Sequence, residues 1–298
     1  GSAAAYSLRD LNKTNPDVIE VRRGSDETSR VFKANEIGST LENWVNAEVA
    51  LPLDTASGAA AAYSLRNLST SYSGNVVDVR RSSDDTEASF TAAEVAGSTM
   101  VDWVGVGNDG HVTKWYDQSG NDNHAVQATP ASQPKVVDGG VLVTDGLKFD
   151  GADDYFSLTS VLGATANASI FTTAKSDGGS DKVIFDNRDG STDGFRLITY
   201  NNHFEYRWQS AIVDTGSSTA TQFIGYANHD GSKADAAVNG ASETSVVNAE
   251  SINVTAIPKI GSRSFSTPTS FWDGTIGEII IYNSDQTDNR KAIESNMA

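Results

Sequence analysis

Residues 181–210 read DKVIFDNRDGSTDGFRLITYNNHFEYRWQS, and this stretch decides the fold class. Three short runs, 182–186, 195–200 and 203–208, are rich in Val, Ile, Phe, Tyr and Trp. Such residues suit a pleated, half-buried surface, and Asp189-Gly190-Ser191 between the first two runs is turn chemistry. The same rhythm continues in both directions. Strands are predicted over 112–116, 135–137, 147–149, 155–158, 169–173, 222–228, 234–238, 257–261 and 275–282. Turn clusters such as Gly178-Gly179-Ser180-Asp181 and Asp230-Gly231 separate them. Many short strands at this spacing predict an all-β chain, an antiparallel sandwich or jelly roll, with a few short helices. A polar helix over 288–296 closes it.

Composition agrees. The 298 residues include 26 Gly and only 6 Pro, as expected for strands joined by tight turns. A formal net charge of −17 argues against nucleic acid as a partner, because phosphate binding needs a basic face. No apolar run approaches the roughly 18 residues of a membrane span, so membrane insertion is not expected. The absence of cysteine excludes disulfides, Cys-ligated zinc and thiol catalysis, and favours a bacterial or phage source. Gly1-Ser2 reads as a cloning remnant, so any signal peptide is out of view.

One segment occurs twice. Residues 3–45 read AAAYSLRDLN…VIEVRRGSDET…FKANEIGSTLENWV, and 60–104 read AAAYSLRNLS…VVDVRRSSDDT…FTAAEVAGSTMVDWV. Tyr6 matches Tyr63, Arg22-Arg23 match Arg80-Arg81, and Trp44 matches Trp103. In the second copy, Ala62, Leu65 and Leu68 form a helical stripe ended by Ser73-Gly74. Val76–Arg81 alternates as a strand, and Thr91 with Glu94 has capping-box spacing for a short helix. The Trp103 region is predicted to be extended, and Arg80-Arg81 to pair with Asp84 and Asp85. The organisation that follows is an orphan copy over 1–50, a linker over 51–58 and a complete domain over 59–298. An orphan copy cannot bury its own apolar face, so it is expected to pack on the main domain or complete a neighbouring subunit.

Three segments carry a resemblance. Residues 147–155, LKFDGADDY, and 271–282, FWDGTIGEIIIY, with the helix that follows, resemble concanavalin A-like, laminin G-type jelly rolls. Tyr63-Ser64-Leu65, Arg80–Asp85 and the loop 115–127, WYDQSGNDNHAVQ, are similar to the catalytic domain of fungal α-L-arabinofuranosidase B. That family consists of retaining glycosidases, which need two carboxyls about 5 Å apart. The resemblance puts the nucleophile directly before an Asn pair, where this chain has Tyr200 before Asn201-Asn202. It puts the acid/base aspartate after an Ile-Gly-Gly strand end, where this chain has Ile260-Gly261-Ser262 followed by Arg263. Glu205 is the nearest substitute carboxylate, and the family's vicinal disulfide has no counterpart. The combined motifs also resemble virion or surface proteins of marine phages and bacteria.

Candidate sites follow. The loop residues Trp115, Tyr116, Asp117, Asn121 and Asn123 suit a sugar subsite, an aromatic face beside hydroxyl-bonding polar groups; they equally suit a side-chain-bonded turn after a core strand. Tyr200, Asn201, Asn202, Tyr206, Trp208 and Arg263 are further candidates for carbohydrate contact, although Tyr206 and Trp208 on one side of a strand also suit the core. Calcium, which takes 6–8 oxygen ligands, has two candidate clusters: Asp150, Asp153 and Asp154, and Asp186, Asp189 and Asp193. No other cofactor is implied. The expected function is a non-catalytic glycan-binding or surface structural module. Its partners would be polysaccharide or cell-surface glycan and other subunits of a surface or virion assembly, in an extracellular or virion-surface location. The competing expectation is an arabinofuranosidase-like hydrolase.

Overall fold

The computed structural model describes residues 17–22, 29–37, 40–41, 50–160, 164–188 and 193–297. The chain is all-β, and every strand pairing among these residues is antiparallel.

Asp273–Tyr282 organises one sheet. Its first half alternates and its second half, Ile279–Tyr282, is an unbroken apolar run. Such a run has to be covered on both faces. Ile279 and Ile281 point into the main core, while Ile280 and Tyr282 pack with Phe171, Tyr226, Ile293 and Met297 in a second, smaller one. Ile293 and Met297 belong to the closing helix Arg290–Met297, whose four-residue spacing presents one apolar stripe. From this strand the sheet runs through Ala168–Ser176, Phe223–His229 and Lys233–Val238 to the edge strand Thr244–Val247. On its other side it pairs with β3 (Ala59–Ser64) and Leu147–Asp150.

The facing sheet holds Lys182–Asp186, Phe195–Tyr200, His203–Trp208 and Ala211–Ser218 in sequence order. Phe195, Leu197, Phe204, Tyr206, Trp208 and Val213 fill the space between the layers.

Ala59–Ser64 was predicted to open a helix and is instead strand β3. Alanine is the best helix former, but propensity yields to tertiary context, and here pairing with Glu278–Tyr282 overrides it, with Ala61, Ala62 and Tyr63 wholly buried. The Trp103 region is helix Thr99–Val104 rather than extended, because Met100 and Val104 bury together four residues apart. Residues 51–58 contain one helical turn, Pro52–Thr55, held by Leu53 N–H donating to Leu68 O. The capping box is present: Thr91 accepts from Glu94 N, and Glu94 accepts from Thr91 N. Both arginine pairs form, Arg80 with Asp85 and Arg81 with Asp84. Strands Glu87–Thr91, Ala211–Ser218 and Thr244–Val247 escaped prediction, being edge strands rich in Ser, Thr and Gly.

Two described hairpins, one in each of the matching sequence segments, pair alike. In the second copy β4 (Asn75–Arg81) pairs with β5 (Glu87–Thr91), Asn75 opposite Thr91 and Val77 opposite Phe90, with an irregularity between. In the first, β1 (Asp17–Arg22) pairs with β2 (Ser29–Lys33), Asp17 opposite Lys33 and Ile19 opposite Phe32, with the same irregularity. Lys33 N–H donates to Glu36, as Thr91 N–H does to Glu94. The copies differ at the other edge. β4 also pairs with β6 (Gly110–Trp115), which leaves Val77 and Val79 wholly buried. Among the described residues β1 pairs with β2 alone, and Ile19 and Val21 are half-buried. Tyr6, Arg23 and Trp44 lie outside the described residues.

Candidate functional site

Alternation in Lys182–Asp186, Phe195–Tyr200 and His203–Trp208 sends the aromatic and aliphatic residues to the core and leaves a second face. That face is charged. Cross-strand pairing aligns Lys259, Asp186, Arg196, Arg207 and Ile212 in one row. The neighbouring row carries Ile198, Glu205 and Asp214, and Tyr200 lies beyond it opposite His203. Residues after Ile260 cover part of the face: Ser264 N–H donates to Asp186 Oδ2 at 3.3 Å.

Each carboxylate on this face has partners. Arg207 donates from Nε and Nη2 to Glu205 Oε2, at 3.0 and 2.8 Å. Arg263 donates to Asp181, which also accepts from Ser270 Oγ at 3.0 Å. Asp186 accepts from Arg188 N–H at 2.9 Å. Burial pushes the Asp186 carboxyl up, against the pull of Arg196. Arg196 itself is only 4% exposed, and its Nε and Nη1 make no hydrogen bond among the described residues. Burial and the charges of Arg188, Arg263 and Arg207 lower its pKa to about 10, with Asp186 opposing them. Tyr200 is 41% exposed, with the Arg207 guanidinium 5.4 Å from its ring centre.

The sequence candidates divide between this face and the scaffold. Tyr200, Glu205 and Arg263 come together on it. Asn201 and Asn202 both adopt positive φ, 53° and 62°, and form the two-residue turn between paired Tyr200 and His203. That is the turn type that favours Asn. Tyr206 and Trp208 point the other way, into the core, where Trp208 stacks on His229 at 4.1 Å. They are not surface sugar contacts. Arg196 and Asp181 were missed, although a charged residue between apolar strand neighbours, as in Phe195-Arg196-Leu197, is a readable signal.

The loop after β6 is built inward. Trp115 is wholly buried between Tyr63 and Phe156, with no face to offer a sugar. Asp117 accepts from Ala62 N, Ser119 N and Asn123 N, at 2.8, 2.9 and 3.0 Å. Asn121 and Asn123 donate to the carbonyls of Ala59 and Ala60. Tyr116 Oη donates to Asp78 at 3.0 Å. These contacts clamp the loop to β3. A cavity of about 310 Å³ lies beside it, lined by Leu53, Tyr72, Gln118 and Ser119 among others.

Asp150, Asp153 and Asp154 bring carboxylate oxygens within 4.8 Å of one another, close enough to share a hard cation. Burial, with Asp150 and Asp153 beside it, pushes Asp154 up to about 7. The other cluster does not assemble among the described residues. Asp186 faces Arg196, Asp193 accepts from Gln209 and Asn253 N, and Asp189 lies outside them.

Known proteins place the fold. The family model of the catalytic domain of α-L-arabinofuranosidase B matches residues 54–146, a segment that ends before the charged face begins. No curated protein sequence matches the chain. An α-L-arabinofuranosidase solved with a cyclic sulfate inhibitor superposes with a TM-score of 0.57 at 15% identity, covering 80% of this chain and 62% of that one. An arabinofuranosidase complexed with arabinofuranosyl-α-1,2-xylobiose gives 0.53 at 15% identity, with the same coverage. The likeness is one of fold, and the chain spans 62% of the length of these enzymes.

Proposed function

We propose that this chain is a saccharide-binding β-sandwich that does not hydrolyse its ligand. Its ligand face is the one carrying Tyr200, Arg207 and Arg263. The carrying observation is that the carboxylates there are already committed. Retaining hydrolysis needs a nucleophilic carboxylate and a second carboxyl about 5 Å away. Glu205 is buried and tied through one oxygen to two N–H groups of Arg207. Asp181 is tied to Arg263 and Ser270. At the positions where the arabinofuranosidase resemblance calls for nucleophile and acid/base, the chain has Tyr200 and Arg263.

The saccharide class rests on the arabinofuranosidase-like fold and on the matched segment 54–146. In this reading residues 59–298 form a concanavalin A-like domain, residues 1–50 are a partial copy, and the setting is extracellular or on a virion surface. Weak single sites gain strength there through many copies.

A hydrolytic reading has one observation in its favour: the Asp186 carboxyl, raised by burial, has the direction expected of an acid catalyst. Substitution separates the two. Tyr200→Ala and Arg207→Ala should each weaken retention on any polysaccharide that binds, while Val247→Ala, exposed on the edge strand of the other sheet, should not. Retention indifferent to both face variants removes the proposed site.

A further inference from the structure

The charged face is out of character with the chain. The protein carries 22 Lys and Arg against 39 Asp and Glu, yet among the described residues Arg188, Arg196, Arg207 and Arg263 converge here beside Asp181, Asp186, Glu205 and Asp214. Lys259 adds to them at the end of the row, opposite Asp186. Of these cations, Arg196 is the one held deepest with unmet valence. It approaches Asp186 no closer than 3.8 Å from Nε, beyond hydrogen-bond reach, and among the described residues neither Nε nor Nη1 has an acceptor. Arg263 Nε likewise has none, while its Nη2 holds Asp181. Burying donors on a charged group without acceptors is costly, so a face built this way is completed by an acceptor from outside.

The geometry selects the acceptor. A guanidinium presents a planar fork that fits the paired oxygens of a carboxylate or sulfate, and neutral hydroxyls match it poorly. Arg207 and Arg263 keep part of their side chains at the surface, 18% and 24% exposed, and Arg196 sits beneath. Tyr200, the exposed ring beside Arg207, offers an apolar plane for the sugar itself. We propose that Arg196, Arg207 and Arg263 bind the anionic group, carboxylate or sulfate, of an acidic saccharide. The inference rests on the saccharide-binding reading above and names its ligand class.

Overall charge works against this binding, which makes it a discriminating prediction. At −17 the protein repels a polyanion at long range, and only groups within a screening length of roughly 8–10 Å favour it. Retention of an acidic polymer therefore reports a local site.

The test measures retention on polygalacturonate, alginate and a sulfated galactan, each beside its carboxyl-reduced or desulfated counterpart. The expected result is binding to at least one acidic polymer about tenfold or more tighter than to its neutralised form, equivalent to ~1.4 kcal/mol. Arg263→Gln should reduce it about tenfold with an unchanged melting temperature, and so should Arg207→Lys, which keeps a positive charge beside buried Glu205. Arg196→Lys, which keeps the charge and loses the fork, should do the same. Preference for the uronates or for the sulfated polymer identifies the anionic group. Equal retention of acidic and neutralised polymers overturns the anion site and leaves saccharide binding standing; retention of neither overturns both. Binding unaffected by the Arg207 and Arg263 variants places the anion elsewhere and overturns the proposal.

Discussion

Arg196 Nε stands 3.8 Å from Asp186 Oδ2 on paired strands, close enough to share charge and too far to share a proton. The pair is buried on the sheet face turned away from the core, where a strand would ordinarily meet water. Arg196 therefore stays cationic, with Asp186 opposing the effect of its burial, and keeps donors in reserve. Removing either partner isolates the other charge. Arg196→Met should cost about 3–5 kcal/mol, the usual consequence of breaking a buried ion pair. Chemical denaturation would check this, and a loss below about 1 kcal/mol would mean that the pair is effectively solvated.

Tyr206→Phe should stabilise the protein. The Tyr206 hydroxyl lies in the core with no hydrogen-bond partner, a penalty of about 1–3 kcal/mol. Its removal should raise the melting temperature by roughly 2–4 °C for each kcal/mol recovered. Sugar retention should not change, because the ring faces away from the charged face. Loss of retention in a stable Tyr206→Phe protein would count against the assignment of faces.

Asp117→Ala should unfold or severely destabilise the domain. Three backbone N–H groups lose their acceptor, two of them on residues otherwise buried, at about 1–3 kcal/mol for each buried donor. Equilibrium unfolding gives the number. A near-neutral result would free the loop for a ligand-binding role.

Asp154 makes stability depend on pH. Its carboxyl is raised from 3.8 to about 7 in the folded protein, so between these values the folded state holds a proton that the unfolded state has released. This contribution to stability is therefore lost as pH rises from about 4 to about 7. Asp154→Asn should stabilise the protein at pH 8 by an amount of the order of 4 kcal/mol, raising its melting temperature there, and the gap should close below pH 4. Melting curves at pH 4 and 8 decide it, and a gap independent of pH would place the proton elsewhere.

Truncation tests the repeat. β1 and β2 pair only with each other among the described residues, so removing residues 1–50 should leave the melting temperature of the sandwich within about 2 °C. A larger fall, or a change in solution mass, would make the first copy a packing or assembly element.

Much of the fold could be read from the sequence, because strands such as Phe195–Tyr200 pair apolar alternation with turn residues at their ends. Ala59–Ser64 could not, since an alanine run carries no strand signal and its register comes from Asp273–Tyr282, far away in the chain. The candidate site was legible only in part. Tyr200 and Arg263 stood out through a family pattern, and Trp115 through its aromatic character, yet only burial tells a binding ring from a core ring. Arg196 drew no notice because a lone arginine in a strand looks like a solvated residue. Its significance depends on Arg188, Arg207 and Arg263, which only tertiary structure brings around it.

The most direct measurement incubates the protein with neutral and acidic polysaccharides and scores retained protein and released sugar in the same tubes. The account predicts retention without release, weakened by Tyr200→Ala and Arg207→Ala. Sugar release above the blank, abolished by Glu205→Gln or Asp186→Asn, would contradict it and make the charged face a hydrolytic centre.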